Sequence, residues 1–231
     1  MFLSRFLPSL LAFGLASSSV FAADVYVVHG IDGTDLGLDQ ELLVDVSVDG
    51  DCALDDVAFG DATAALPFEP GIYDIAIRLS DGIEASCTGT LVAQTRLNVS
   101  IFETAVVVAH LDVNGAITLG KFTVKTDPIA EGQARVAVAH AAAAPPVDIQ
   151  AKGTQGTKGV VRQRLVANGG QSSATDVSVG TYDFKIKPAL AKGVVAKLDD
   201  VAIEGNVLIV AVGSLDKGSF SVIPVSIATD G

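Results

Sequence analysis

The chain has no tryptophan and only three tyrosines among its 231 residues. Because carbohydrate sites usually present aromatic platforms, these counts disfavour a sugar-binding site. The sequence also lacks G-x-S-x-G, H-E-x-x-H, a phosphate-binding glycine loop and a free nucleophilic cysteine beside a histidine. It therefore predicts a protein that is not an enzyme. Paired carboxylates occur throughout so acidic a chain, so a hydrolase with an unrecognised carboxylate pair is the remote alternative.

Basic residues are scarce, with 15 Lys and Arg against 27 Asp and Glu and a formal net charge of −12. The excess lies in residues 23–125, which hold 4 basic and 17 acidic residues, whereas residues 126–231 hold 10 of each. An acidic surface repels phosphate groups, so nucleic acid or anionic lipid is not an expected partner of the first half. The charge also favours solubility outside the cell.

The N-terminal residues have the pattern of a secretory signal peptide. Arg5 supplies one positive charge, residues 6–15 are mostly apolar, and Ala22 closes a small-residue cleavage site before Ala23. The apolar run is shorter than the roughly 20 residues that a membrane span requires. We expect residues 1–22 to be a signal peptide and the mature chain to be periplasmic or secreted, with no membrane span.

The only two cysteines, Cys52 and Cys87, agree with export. An isolated pair in an oxidising compartment usually forms a disulfide, and this pair lacks the C-x-x-C spacing of a redox or metal site. We predict a Cys52–Cys87 disulfide worth roughly 3–4 kcal/mol through the lost entropy of the unfolded chain.

The chain contains two copies of one pattern. Each copy has a strand that ends in histidine, then a Val-Asp strand, then a Gly-x-Tyr segment. The matched positions are His29 and His140, Asp45 and Asp148, and Tyr73 and Tyr182. Order is kept while loop lengths differ, as in a duplicated domain. We predict domains at 23–125 and 134–231, joined by a linker at 126–133.

Short alternating strands dominate both copies. In residues 44–50 valines alternate with polar residues, which is typical of a half-buried strand. Residues 99–108 are almost continuously β-branched or apolar, which predicts a central strand covered on both faces, with 207–212 as its counterpart. Frequent glycine turns complete a prediction of two tandem immunoglobulin-like antiparallel β-sandwich domains, each with a tyrosine corner at Gly-x-Tyr.

The second copy resembles the family of domain of unknown function 4397. Members typically have R-V-x-x-x-H-A-S-P-x-A-P-x-V-D-V and a later G-x-Y, to which residues 135–148 and 180–182 correspond. Ala142 and Ala143 replace the Ser-Pro of that pattern, and the first copy has a longer acidic loop after its histidine. The resemblance implies an exported β-sandwich, often in tandem, with no established activity and no catalytic residues to transfer.

Each repeated histidine precedes an aspartate on the next strand, which suggests a His/Asp metal site or an acid–base pair. Metal sites usually need three or four ligands, and His110 is the only further histidine. We therefore favour the alternative, in which His29 and His140 are half-buried and hydrogen-bonded at strand ends, and Asp45 and Asp148 are structural.

Two acidic loops of the first copy could bind calcium, one with Asp32, Asp35, Asp39 and Glu41 and the other with Asp49, Asp51, Asp55 and Asp56. From these we take Asp32, Asp35, Asp39, Asp49 and Asp51 as the candidate ligands. Loops of this composition can supply the six to eight oxygens that calcium requires. Neither loop matches D-x-[DN]-x-[DN]-G, so solvated acidic loops are the favoured interpretation. No cofactor is expected, and calcium is the one ion considered.

These features predict a non-catalytic exported module for binding, adhesion or envelope structure, with a protein or extracellular partner. A calcium- or small-ligand-binding domain is the main alternative. The acidic first copy of one molecule could also face the basic second copy of another, giving head-to-tail self-association. The basic residues in question are Lys152, Lys158, Arg162, Arg164, Lys185 and Lys187.

Overall fold

A computed structural model describes residues 22–228. The predicted signal peptide lies outside the described residues, apart from Ala22. The strands of the first half are β1 Ala23–His29, β2 Val44–Val48, β3 Asp51–Val57, β4 Leu66–Phe68, β5 Gly71–Leu79, β6 Leu91–Val99, β7 Thr104–Leu111 and β8 Ile117–Thr123. A short 3₁₀ helix, Gly33–Leu36, lies between β1 and β2.

The strands of the second half are β9 Gln133–His140, β10 Val147–Gly153, β11 Val160–Val166, β12 Gly170–Gln171, β13 Thr175–Ser178, β14 Gly180–Pro188, β15 Ala196–Ile203, β16 Asn206–Val212 and β17 Ser221–Ile227. Within residues 22–228, no helix has the length and apolar character needed to cross a membrane.

The strands form two sheets in each half of the described chain. Inner sheet 1 has the order β4-β1-β7-β8, and outer sheet 1 has the order β3-β2-β5-β6. Inner sheet 2 has the order β12-β9-β16-β17, with β13 also on β9, and outer sheet 2 has the order β11-β10-β14-β15. Apolar residues pack between the two sheets of each half. The prediction of an all-β chain with two sandwich units is therefore confirmed.

One pairing in each half departs from the predicted antiparallel arrangement. β1 runs parallel to β7, and β9 runs parallel to β16. In addition, β2 lies between β3 and β5, which is not the A-B-E-D order of an immunoglobulin constant domain. The immunoglobulin-like, purely antiparallel prediction is wrong in these details, because side-chain alternation shows which faces of a strand are covered and not the direction of its neighbours.

The central strands β7 and β16 are buried along their whole length. This confirms the predicted covered strands, except that residues 100–103 form a turn before β7 begins. In that turn a Glu103 carboxylate oxygen accepts the Ser100 N–H at 2.9 Å. The strand propensity of the residues did not predict this turn, because a single polar side chain closes it.

The two inner sheets pack against each other through a third apolar cluster. Its largest members include Tyr26 and Phe122 from the first half and Leu208 and Ile227 from the second. The layers therefore follow the order outer sheet 1, inner sheet 1, inner sheet 2, outer sheet 2. The sequence predicted two tandem units but not this shared core.

Close backbone approach and polar contacts also hold the two halves together along the boundary between the inner sheets, which we call the seam. A Cβ on Gly30 would lie 2.7 Å from Val212 Cγ1, so a larger residue would force the halves apart. Asn168 Nδ2 donates to Leu111 O across the seam at 2.9 Å. Contacts of this kind join the two sandwiches into one four-layer body.

The segment between β8 and β9 is also held in place. Arg135 Nη1 donates to Asp127 O at 3.0 Å, and Arg135 Nε pairs with Asp176 Oδ1 at 2.6 Å. The predicted linker at 126–133 is thus fastened to β9, whose Arg135 is in turn paired with Asp176 of β13.

Candidate functional site

His29 and His140 end equivalent strands and are buried. The Nε2–H of each ring donates to a backbone carbonyl, that of Leu42 for His29 and that of Pro145 for His140, both at 3.1 Å. A carbonyl only accepts, so these bonds place the proton of each neutral ring on Nε2. Burial lowers the pKa of both histidines, which keeps them uncharged at neutral pH.

Neither histidine is joined to the aspartate that follows it in sequence. Val44 and Val46 point into the core of the first half, so Asp45 between them points to the opposite face of its sheet. Among the described residues, no hydrogen bond or ion pair links His29 to Asp45 or His140 to Asp148. The geometry does not assemble the His/Asp pair that sequence order suggested.

Asp45 and Asp148 each cap a β-bulge. Asp45 Oδ1 accepts the Asp56 N–H at 3.1 Å, and Asp148 Oδ1 accepts the Leu165 N–H at 3.0 Å. Strand register shifts at both places, so that two residues oppose one. Asp56 and Leu165 have φ values of 51° and 55°, in the left-handed region that costs non-glycine residues energy. The repeated Val-Asp element therefore holds a strained bulge in each half.

The two Gly-x-Tyr elements form tyrosine corners. Tyr73 OH donates to Glu69 O and Tyr182 OH donates to Ser178 O, both at 2.8 Å and both to the carbonyl four residues upstream. In each half this bond fixes the position of the chain where it enters the strand, β5 in the first half and β14 in the second.

The first loop of calcium candidates does not gather its carboxylates. Asp32 caps the 3₁₀ helix by accepting the Thr34 N–H at 2.9 Å. Asp35 accepts the Ser219 hydroxyl of the second half, whose oxygen lies 2.8 and 2.7 Å from the two carboxylate oxygens. Asp39 is exposed. Burial raises the pKa of Asp35, against a lowering by the Ser219 bond.

The second loop forms the turn between β2 and β3. Asp49 Oδ1 accepts the Asp74 N–H at 2.7 Å, and Asp49 has a φ of 52°. Asp51 is exposed at the start of β3. The five candidates thus serve separate turns and a contact between the halves, and they do not form one group.

Three other carboxylates do come together, those of Asp45, Asp55 and Asp56, which we call the acidic bulge cluster. One oxygen from each lies within 4.8 Å of the others. Asp45 is 0 % exposed, and its Oδ2 and the Oδ1 of Asp55 have no hydrogen-bond partner among the described residues. Burial raises the pKa of Asp45, and the neighbouring Asp55 carboxylate raises it further, while the bond from the Asp56 N–H lowers it.

The sequence analysis placed Asp55 and Asp56 in the second acidic loop but did not join them to Asp45, because a bulge, not a periodic strand, brings the three together. A signal was nevertheless present. Two consecutive acids, Asp55 and Asp56, follow the Val-Asp strand of the first copy, whereas Arg164 and Leu165 stand at the corresponding place in the second.

A disulfide-tied segment covers the acidic bulge cluster. The Cys52–Cys87 disulfide is present, as predicted, and fastens the segment after β5 to β3. From this segment, Ala85 N–H donates to Asp55 Oδ2 at 2.9 Å and the Ser80 hydroxyl donates to Asp56.

Outer sheet 2 carries a second candidate site, an exposed cationic face. Tyr182, Phe184 and Ile186 point into the core, so Lys185 and Lys187 on the same strand point outwards. We define the cationic face by the exposed residues Lys152, Arg162, Arg164, Lys185, Lys187 and Lys197. Lys158, also predicted, lies in the loop between β10 and β11.

Strand register packs these cations closely. Lys185 stands opposite Gln150 on one side and Lys197 on the other, and Arg162 is the next residue along the same row. Within the described part of the chain, none of the six forms an ion pair. A surface depression of about 260 Å³ opens among the side chains of β10, β11 and β14.

Sequence comparison gives one match. The profile of domain of unknown function 4397 (DUF4397) matches residues 23–150, from the first residue of β1 into β10. No curated protein matches the sequence.

Comparison with solved structures gives distant likenesses. One is the family 26 carbohydrate-binding module CBMbc of Eubacterium rectale Amy13K, solved with maltoheptaose. Its sequence is 9% identical, and the match covers 90% of this chain and 98% of the module, with a TM-score of 0.28. The Bacillus anthracis TIE protein is 12% identical over 82% of this chain and 50% of its own, with a TM-score of 0.24. A Bacteroides fragilis NCTC 9343 protein with a proposed role in cell adhesion is 11% identical over 91% and 98%, also at 0.24. TM-scores of this size carry no conclusion about function.

Proposed function

Because the chain belongs to the family of domain of unknown function 4397, whose description names no activity, we propose a function from the chain's own surfaces. We propose a non-catalytic module, exported to the periplasm or the medium, that assembles head to tail. The observation that carries this is the cationic face, which forms one end of the four-layer body. The opposite end is outer sheet 1, which belongs to the strongly acidic half.

One pair within the cationic face does not help the fold, although Lys152 and Lys187 stand opposite Asp183 and Asp148. Lys185 and Lys197 stand directly opposite each other on neighbouring strands, and like charges in that position destabilise a sheet. Residues that destabilise the fold and gain no stabilising contact in return are candidates for a functional role. An acidic partner surface would supply the missing compensation.

The best-matched acidic surface is the first half of a second copy. Asp74 points outwards from outer sheet 1, since Ile75 and Ile77 point into the core. Exposed acids of the disulfide-tied segment, Asp81 and Glu84, add to the negative charge on this side. Unlike surfaces at opposite ends of one molecule give open chains, not closed dimers.

The expected contact is small. Four strands about 4.8 Å apart and about seven residues long give a face of roughly 19 by 23 Å, or about 450 Å² per partner. Standard interfaces bury about 800 Å² per partner, so this association should be weak and should depend on charge. It would matter where the exported protein is locally concentrated.

Sedimentation velocity of the folded chain tests the proposal. We expect species larger than the monomer at high protein concentration and about 0.1 M salt, and their loss near 1 M salt, where screening is nearly complete at contact distances. Lys185→Glu should abolish the larger species. Arg96→Glu is the matched control, because it changes the net charge equally but makes the acidic end more acidic.

The control separates local pairing from net charge. If Arg96→Glu weakens association as much as Lys185→Glu, repulsion between whole molecules is the cause and the head-to-tail contact is refuted. A chain that stays monomeric at every concentration in low salt refutes it as well.

A further inference from the structure

The two halves provide an internal comparison for the acidic bulge cluster. Asp148 caps its bulge in the second half as Asp45 does in the first, and in each case a backbone N–H donates to an aspartate oxygen. Yet Arg164, Leu165 and Ala189 occupy the positions of Asp55, Asp56 and Ser80. The bulge of the second half therefore forms without the additional carboxylates and without the hydroxyl, so the bulge of the first half does not require these groups.

Two buried carboxylate oxygens of the cluster, Asp45 Oδ2 and Asp55 Oδ1, have no hydrogen-bond donor among the described residues. Asp45 itself is 0 % exposed. The cation opposite it across the sheet, Arg78, donates from Nη1 to Gly89 O at 3.0 Å. Buried carboxylate oxygens need a donor, a proton or a metal ion.

We propose that Asp45, Asp55 and Asp56 bind one Ca²⁺ ion at the bulge of the first half. Calcium takes carboxylate, hydroxyl and water oxygens at about 2.3–2.6 Å, so ligands on opposite sides of the ion lie roughly 5 Å apart. The three carboxylates lie within 4.8 Å of one another, which suits that span. The Ser80 hydroxyl, now bonded to Asp56, and water at the exposed Asp56 would complete the shell.

The site takes Asp55 and Asp56 from the second acidic loop of the sequence and joins them to Asp45, which neither loop contains. It joins β2, the bulge of β3 and the segment tied by Cys52–Cys87, so an ion there fastens three parts of outer sheet 1 to one another. This inference does not depend on head-to-tail assembly.

Calcium titration of the chelated, disulfide-bonded chain tests the site. We expect CaCl₂ to raise the midpoint of thermal unfolding by several degrees, and calorimetry to give one ion per chain with a Kd between about 1 µM and 1 mM, the range of sensors and extracellular modules. Asp55→Asn with Asp56→Asn should abolish both effects. Asparagine keeps an acceptor for the Ala85 N–H and tolerates the positive φ at residue 56.

A matched double variant, Asp49→Asn with Asp51→Asn, removes the same charge from the adjacent turn and should keep the calcium response. Loss of the response in both double variants would indicate diffuse counterion binding and overturn the proposal. An unfolding midpoint that does not move with about 5 mM calcium, together with no detectable binding heat, would also overturn it. Mg²⁺ at the same concentration should have the smaller effect, since its bonds of about 2.0–2.1 Å span a narrower site.

Discussion

Asp45 and Asp148 perform the same backbone task in different electrostatic surroundings. Each accepts the N–H of a bulge residue with positive φ. Around Asp148 the neighbouring side chains include the cation Lys187, which stands opposite it on β14. Around Asp45 they include the carboxylates of Asp55 and Asp56 as well as the opposite cation, Arg78, which donates to Gly89 O. The two positions therefore separate the structural role of the aspartate from the charge it carries.

Replacement of Asp148 should measure the bulge bond. Asp148→Ala leaves the Leu165 N–H without its acceptor, and we expect a loss of about 1–2 kcal/mol in the free energy of unfolding. Asp148→Asn keeps a carbonyl acceptor and should recover most of it. Urea denaturation at neutral pH measures both variants. Equal losses for alanine and asparagine would show that charge, not the bond, matters at Asp148.

Replacement of Asp45 by asparagine should not lower the stability of the folded chain when calcium is absent. Burial and Asp55 raise the pKa of Asp45, so its charged form weakens the folded state once the pH exceeds the unfolded pKa of about 3.9. With chelator at pH 7, Asp45→Asn should be at least as stable as the unaltered chain. With calcium, the unaltered chain should be more stable than Asp45→Asn. A variant less stable than the unaltered chain in chelator contradicts this explanation.

The buried histidines predict a loss of stability in mild acid. Burial lowers the pKa of His29, His110 and His140. Below the unfolded pKa of about 6.5 the unfolded chain binds protons that the folded chain does not, so stability is complete above that pH and falls as the pH drops towards the folded values. The slope should approach about 1.4 kcal/mol per pH unit for each histidine.

Urea denaturation between pH 7.5 and pH 5 measures this slope. His140→Gln keeps a donor for the Pro145 carbonyl and does not titrate, so it should reduce the slope by about one third if the three histidines contribute alike. An unchanged slope would mean that the imidazole of His140 does not control the acid response.

At the scale of elements, the disulfide is the clearest stabilising device of the first half. It closes a loop of 35 residues over the edge of outer sheet 1. Cys52→Ser with Cys87→Ser should lower the free energy of unfolding by about 4 kcal/mol, as the chain-entropy relation gives for a loop of this length. Reductant should reproduce the loss in the unaltered chain and have no effect on the double variant. If reductant destabilises that variant equally, the disulfide is not the cause.

Sequence reasoning succeeded where a local pattern carries the structure. Alternating valines located β2, continuous β-branched residues located β7, and an isolated cysteine pair in a chain predicted to be exported specified the disulfide. It failed where the structure depends on partners that are distant in sequence. The register shift opposite Asp45, the parallel pairing of β1 with β7 and the contact between the inner sheets leave no periodic trace.

At the scale of the whole molecule, the shared core between the inner sheets should make the halves unfold together. Leu208 is 0 % exposed within that core. We expect calorimetry of the unaltered chain to show one transition. Leu208→Ala should cost about 2–5 kcal/mol and broaden or split the transition by weakening the seam. Two separate transitions in the unaltered chain would show that the halves fold independently.

The four-layer body has the cationic face at one end and the outer sheet of the acidic half at the other, which is the basis of the proposed assembly. Residues 23–125 carry 4 basic and 17 acidic residues, and the cationic face lies on the outermost sheet of the other half. A molecule with one blocked end should still pair through its free end. This property distinguishes head-to-tail contacts from symmetric dimers.

Mixing two singly blocked variants tests that claim most directly. One variant, Lys185→Gln with Lys187→Gln, neutralises the cationic face, and the other, Asp74→Asn with Glu84→Gln, neutralises the acidic end. By sedimentation velocity each variant alone should be monomeric at about 0.1 M salt, within the range where charged surfaces still attract. An equal mixture should form a dimer and nothing larger, because only one pair of intact ends remains. A mixture that stays monomeric, or a blocked variant that associates with itself, would contradict head-to-tail assembly.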